Sequence, residues 1–203
     1  TLQTPAARYE DVPLALKGEH QARNAAIALA AAEAFFGGGA FAADVVEHAF
    51  MSVSSPGRLE IVRSSPTVVV DAAHNPHGAQ ATADSLREYF PGRLVGVVGM
   101  MADKDVEGFL GVLEPVLDAV VVTNIASDRA MDADELADIA GGVFGDGRVF
   151  VERNLAEAID RAAGLAESDD GAPMASPAVV VLGSIQLVAA ARTLMGKPGA
   201  DGA

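Results

Sequence analysis

The sequence predicts an α/β domain with a parallel sheet covered by helices, and three observations lead to this fold class. Short Val-rich runs alternate with helix-like stretches over residues 59–194, as expected when each strand is followed by a crossover helix. Residues 68–70 are three consecutive valines, which is typical of a strand buried on both faces. Four turn formers at residues 54–57 separate this region from one dominated by helical patterns, so we predict two units that meet at residues 55 and 56.

The elements follow from periodicity and from the turn formers between them. Strands are predicted at residues 59–62, 67–71, 94–99, 119–123, 149–151 and 178–182. Helices are predicted between them at residues 76–90, 106–117, 133–143, 155–165 and 185–194. Ahead of the boundary, residues 1–16 have no clear period, an Ala-rich helix stops before Gly37, and a second helix covers residues 42–51. Residues 168–177 are expected to form a surface loop and residues 196–203 a disordered tail.

Composition excludes several classes of function. The 203 residues, half of them hydrophobic, suffice for a sizeable core. There is no cysteine, so no disulfide framework or thiolate metal site can form. A formal net charge of -14 argues against a nucleic-acid partner, because the phosphate backbone would be repelled. No apolar run reaches the length of a membrane span and no signal-peptide pattern opens the chain, so we expect a cytoplasmic protein without a membrane partner.

The turn after residues 68–70 carries the most informative side chains. Asp71 and His74 lie between the end of this predicted strand and Asn75-Pro76, the residue types of an N-cap and a first helical position. Ligands bind at this edge of open parallel sheets, and a helix N-terminus favours anions. The turn is therefore a candidate ligand site in which the Asp71 carboxylate points into the crevice. The alternative is that both side chains only cap and order the turn.

Four other residues are candidates, each with a purely structural alternative. Lys104 follows the third predicted strand and can meet an anion, or stay a solvated cation. Ser184 opens the last helix and can donate to a carboxylate, or act only as an N-cap. Arg58 can clamp phosphate or stack on a base, or form a surface salt bridge. Asn24, on the Ala-rich helix, can present its amide to a purine, or simply face solvent.

Phosphate-binding motifs are absent from this sequence. None of its three lysines is followed by the Ser or Thr that a P-loop requires, and no G-x-G-x-x-G follows a predicted strand. The phosphates of any nucleotide that this chain contacts must therefore be held elsewhere. The spacing of His, Asp and Glu does not indicate a metal site either.

Five motifs stand in a fixed order along residues 14–195. They are LxGxHQxxNA at 16–25, PGRLE at 56–60, VDAAHNPHG at 70–78, GM at 99–100 with DKD at 103–105, and VLGS at 181–184. Together they resemble the folylpolyglutamate synthase/dihydrofolate synthase family of the Mur ligase superfamily. The DxAHNP run is highly specific for the folate branch, whereas the GR pair is shared by the wider superfamily.

The resemblance implies a fold and a reaction. Family enzymes join an N-terminal P-loop ATPase domain to a C-terminal Rossmann-like domain of six mostly parallel strands. Residues 1–55 are then the last helices of the ATPase domain, and residues 56–203 are the glutamate-ligase domain. ATP phosphorylates the carboxylate of dihydropteroate or of a folate glutamate tail, and the amine of L-glutamate attacks the acyl phosphate. By matching motifs, Asn24, Arg58 and Asp71 are similar to residues that contact ATP, and His74 and Ser184 to residues near the incoming glutamate.

Departures from the family pattern leave alternatives open. The P-loop and the Mg²⁺ ligands of the family belong to the missing N-terminal ATPase domain, so we expect this chain to be inactive alone. Gln186 stands where family members often have an aromatic residue two positions after the Ser of the last motif. One alternative is a stand-alone nucleotide- or amino-acid-binding module that retained the fold without the chemistry. Another Mur-type ligase is disfavoured by the motif at residues 71–76, and the choice between dihydropteroate and folate stays open.

Overall fold

A computed structural model of the chain describes residues 1–168 and 176–197. The chain divides into two compact units, Thr1–Ser55 and Pro56–Ala203. Most of the predicted loop at 168–177 and of the predicted tail at 196–203 lies outside the described residues. Within the described ranges, no helix is long and apolar enough to cross a membrane. The assignment of the two units to named ligase domains stays a prediction.

The first unit is a small hairpin with two helices. Strands β1 (Leu2–Gln3) and β2 (Arg8–Tyr9) pair antiparallel, in a region where the sequence has no clear period. Helices α1 (Glu19–Phe35) and α2 (Ala43–Ser52) confirm both predicted helices. Tyr9 packs with Leu29 and Val46 in the core of this unit. The Tyr9 hydroxyl also donates to the buried Glu33 carboxylate at 2.6 Å, and this acceptor raises the pKa of Tyr9.

The second unit contains the six strands and five helices expected from the sequence. The strands are β3 (Glu60–Ser64), β4 (Thr67–Val70), β5 (Leu94–Val98), β6 (Ala119–Val122), β7 (Val149–Val151) and β8 (Ala178–Leu182). The helices are α3 (Pro76–Tyr89), α4 (Val106–Leu113), α5 (Ala133–Phe144), α6 (Leu155–Glu167) and α7 (Ile185–Leu194). Helix α4 ends four residues earlier than predicted, because Pro115 has no amide hydrogen to continue the helix.

The sheet order is β3-β4-β8-β5-β6-β7, and every neighbouring pair is parallel except β3 with β4. This confirms the mostly parallel, Rossmann-like sheet. Alternate valines of the strands face opposite sides, so Val69 and Val68 lie in different core clusters. Residues of α3, α4 and α5 fill one cluster, and residues of α6 and α7 fill the other, which places helices on both faces.

The position of β8 creates a crevice. This strand lies between β4 and β5, although it is the last strand in the sequence. Strands β4 and β5 lead into α3 and α4 on one face, whereas β8 leads into α7 on the other face. Neighbouring strands that leave in opposite directions open a gap beyond their carboxyl ends, where α/β sheets bind ligands.

Candidate ligand site at the carboxyl edge of the sheet

An open cleft of about 230 Å³ lies at the carboxyl ends of β4, β8 and β5. Its lining combines hydrogen-bonding groups with an apolar surface of similar extent, and consists of His74, Met101, Lys104, Arg129, Gly183, Ser184, Ile185 and Gln186. Pockets for drug-sized ligands typically occupy about 300–1,000 Å³, so this cleft suits a smaller molecule. Three predicted site residues, His74, Lys104 and Ser184, therefore meet in one place.

The β4–α3 turn presents His74 to the cleft in a fixed orientation. Its Nδ1 lies 2.9 Å from the Ala72 carbonyl oxygen. Because a carbonyl can only accept, Nδ1 carries the hydrogen, and in the neutral ring Nε2 is left as the acceptor. Asn75 caps α3 as predicted, since its side chain accepts from the Gly78 amide at 2.8 Å. The turn therefore fixes both the tautomer of His74 and the start of the helix.

Asp71 is buried beneath this turn, with only 2% of its surface exposed. Its Oδ1 accepts from the Ala73 amide at 2.9 Å and from the Thr82 hydroxyl at 2.8 Å. Its Oδ2 accepts from the Leu59 amide at 3.0 Å. The expectation that this carboxylate points into the crevice is therefore wrong, because both oxygens are occupied by donors of the protein. Asp71 instead ties the β4–α3 turn to α3 and to the loop before β3.

The β8–α7 turn brings a helix N-terminus to the cleft. Gly183 adopts a φ of 104°, and an added Cβ would lie 2.6 Å from the Gly99 carbonyl oxygen, so only glycine fits here. Ser184 is 3% exposed, and its hydroxyl accepts from the Gln186 amide at 3.2 Å. Ser184 is thus the N-cap that the sequence predicts and also lines the cleft. The partial positive charge of the α7 N-terminus favours an anion at this end.

Two cations line the cleft and are linked by one carboxylate. Asp103 pairs with Lys104 at 3.3 Å and with Arg129 at 3.0 Å. Desolvation opposes ionisation of Asp103, but hydrogen bonds and charge attraction from Lys104 and Arg129 outweigh it, so its pKa lies below the usual value. Together these two cations and one carboxylate carry a net charge of +1. The sequence places the loop that contains Arg129 after a parallel strand and therefore at this edge of the sheet, but it does not single out Arg129. The order of the strands, with β6 beside β5, brings this side chain into the cleft.

The two remaining predicted residues lie outside the cleft lining. Arg58 is exposed in the loop before β3, and that loop is tied to Asp71 through the Leu59 amide. Asn24 is exposed on α1 in the first unit, where its side-chain amide donates to Gln21 at 3.3 Å. The side chains of Asn24 and Arg58 are thus both exposed on the surface of the unit to which they belong. Across the described residues there is no cluster of three or more His, Asp or Glu side chains that could hold a metal ion.

A doubly wound sheet with a cleft at its carboxyl edge is typical of α/β domains that bind small ligands. Residues 57–184 match the family model described as Mur ligase, glutamate ligase domain, and the chain belongs to this family. A dihydrofolate synthase/folylpolyglutamate synthase of Mycobacterium tuberculosis is 49% identical over 199 residues, which are 93% of this chain and 41% of that protein. The resemblance to the folate branch is thereby confirmed.

Solved structures agree with this family assignment. The Mycobacterium tuberculosis folylpolyglutamate synthase complexed with ADP and AMPPCP is 48% identical, with a TM-score of 0.91 over 97% of this chain and 44% of that chain. Escherichia coli FolC in complex with DHPP and ADP is 31% identical, with a TM-score of 0.76 over 92% of this chain and 41% of that chain. The chain thus spans less than half the length of these relatives.

Proposed function

We propose that this chain is the C-terminal part of an ATP-dependent ligase that adds L-glutamate to dihydropteroate or a folate through an acyl phosphate. The observation that carries the proposal is the small cleft with a cationic wall, a helix N-terminus and a histidine acceptor. Membership of the glutamate ligase domain family and similarity to folylpolyglutamate synthases support it. The P-loop and the Mg²⁺ ligands would be supplied by a preceding ATPase domain.

The cleft matches the three charged groups of L-glutamate. One carboxylate is held at the α7 N-terminus beside Ser184, where main-chain amides and the helix dipole favour an anion. The other carboxylate meets Lys104 and Arg129, which Asp103 keeps side by side. The amino group is left near Nε2 of His74, the acceptor of the neutral ring. A ligand with one carboxylate fewer loses one of these contacts.

His74 also suits the chemical step. When the amine nitrogen attacks the carbonyl carbon of the acyl phosphate, a C–N bond forms, the C–O bond to phosphate breaks, and the nitrogen must lose a proton. Nε2 of a neutral His74 can accept that proton, because Nδ1 already carries its hydrogen toward Ala72.

ATP is proposed as the second substrate, with Asn24 and Arg58 as its contacts from this chain. Both side chains are exposed and therefore available to a ligand. An amide can bond a purine edge, and a guanidinium can pair with phosphate. Asp71 is expected to contribute indirectly, because it anchors the backbone beside Arg58.

The decisive measurement is an NMR titration of the 203-residue chain with L-glutamate. We expect shifts at Lys104, Gly183 and Ser184, and weaker binding of L-alanine, which lacks the second carboxylate. Lys104→Ala should weaken glutamate binding, whereas Arg161→Ala, which removes a surface cation on α6, should not. Amide formation from ATP, glutamate and dihydropteroate or folate is expected only when the ATPase domain is joined to the chain. Ligase activity of the chain alone, or equal binding of both amino acids, would contradict the proposal.

A further inference from the structure

The loop that carries Arg58 has an unusual backbone. Gly57 and Leu59, on either side of Arg58, both have positive φ angles, 76° and 43°. Leucine rarely adopts this conformation, and such strain persists only where the surroundings enforce it, which is common at functional sites. Arg58 itself is exposed, and its side chain has no hydrogen bond or ion pair within the described residues. The loop is therefore held firmly while its guanidinium stays available.

Hydrogen bonds fix the backbone on both sides of Arg58. The Gly57 carbonyl accepts from the Ala72 amide at 2.8 Å, and the Leu59 amide donates to Asp71 at 3.0 Å. The Gly57 amide donates to the Glu60 carboxylate at 2.8 Å. Glu60 differs from the other partners because it lies on the sheet-edge strand β3, and a second side chain supports its carboxylate.

Arg192 provides that support from α7. Its Nε donates to Oε2 of Glu60 at 2.8 Å, the same oxygen that accepts from Gly57. Both side chains are largely buried, with 12% of Arg192 and 24% of Glu60 exposed, so solvent screens this pair less than a surface pair. The guanidinium therefore fixes the position of the oxygen that holds Gly57.

Helix α7 also contacts the loop directly. A Cβ added to Gly57 would lie 2.8 Å from Cγ1 of Val188, so the loop backbone packs closely against the helix. Ser184, Val188 and Arg192 are four residues apart and therefore follow one side of the helix. Ser184 lines the ligand cleft, and Arg192 holds Glu60. One rigid element thus joins the cleft to the Arg58 loop.

We propose that Glu60, held by Arg192, is a positioning residue for Arg58, and that α7 keeps the Arg58 loop in register with the cleft. The inference rests on the proposed function in one respect, since it takes the phosphates of ATP as the partner of Arg58. The arrangement of Glu60, Arg192 and Gly57 can be tested without that assumption.

The first test measures the loop in the 203-residue chain. We expect Glu60→Ala to speed hydrogen exchange of the Gly57 amide about tenfold or more, the factor for losing a hydrogen bond to a charged acceptor. Glu60→Gln keeps an oxygen acceptor and should restore most of the protection. Glu152→Ala breaks an Arg–Glu pair with Arg161 that is more exposed and distant from Gly57 in sequence, and it serves as the control. Unchanged exchange at Gly57 in Glu60→Ala would overturn the inference.

The second test uses the ligase with its ATPase domain joined. Glu60→Ala should raise the KM for ATP about tenfold, leave the KM for glutamate within about twofold, and add little to Arg58→Ala, because both changes remove the same contact. Equal increases in both KM values would indicate general damage to the fold and overturn the positioning role. If Arg58→Ala leaves the KM for ATP unchanged, the proposed function of Arg58 is refuted. Hydrogen exchange at Gly57 would still decide the role of Glu60.

Discussion

The buried Asp71 carboxylate yields a sharp prediction about stability. Its two oxygens accept three hydrogen bonds, from the Leu59 and Ala73 amides and the Thr82 hydroxyl. Asp71→Asn has nearly the same shape but only one acceptor oxygen. If that oxygen replaces Oδ1, the new NH₂ group faces the Leu59 amide, donor against donor. No rotation of the amide satisfies all three partners.

The expected cost follows from these partners. Hydrogen bonds to charged groups contribute about 1.5–3 kcal/mol, and a buried donor left without an acceptor costs about 1–3 kcal/mol. The lost hydrogen bond and the unpaired donor are two descriptions of one change, so these energies are not added. We expect the free energy of unfolding to fall by roughly 2–3 kcal/mol. For a chain of this size, each kcal/mol lowers Tm by about 2–4 °C, so the shift should be about 4–12 °C.

Thermal and urea unfolding of the 203-residue chain, followed by circular dichroism, measure this change. Asp84→Asn is the matched control, because Asp84 lies on α3 and its carboxylate bonds only exposed partners, Gln80 and Arg87. It should change stability by no more than about 0.5 kcal/mol. Equal Tm values for the two variants would refute the structural role that we assign to the Asp71 carboxylate. A lowered ATP affinity at unchanged Tm would instead support a carboxylate that faces the ligand.

Two further predictions concern the β8–α7 turn and the boundary between the units. Gly183→Ala should lower the free energy of unfolding by about 1–3 kcal/mol and weaken glutamate binding, because the added Cβ would clash with the Gly99 carbonyl and the residue has a positive φ. The control is Gly164→Ala, whose added Cβ has no atom nearby, and it should leave stability unchanged or raise it in the same denaturation assay. Limited proteolysis should first cut at residues 53–56, between the end of α2 and the second compact unit. First cuts within residues 57–168 would contradict the boundary.

The amino-acid sequence determined the local elements of this protein. Runs of valine, helical spacing and turn formers predicted all six strands and five helices of the second unit, with ends that shifted by a few residues. Asn75 and Ser184 are the N-caps that their residue types indicate. These features depend on neighbours within a few positions, so a linear pattern contains the information. The motifs likewise identified His74, Lys104 and Ser184, which meet because parallel strands share one carboxyl edge.

Only the tertiary structure decided which distant groups meet. Arg129 joins the cleft because β6 lies beside β5, which places the loop after β6 next to the loop after β5, where Arg129 pairs with Asp103. The Asp71 carboxylate turns inward because the Leu59 amide, twelve residues away, arrives as a donor. Glu60 and Arg192 pair across 132 positions of sequence. A carboxylate can be satisfied equally well by water, a ligand or a backbone amide, so its residue type does not specify its partner. Long-range packing chooses among them.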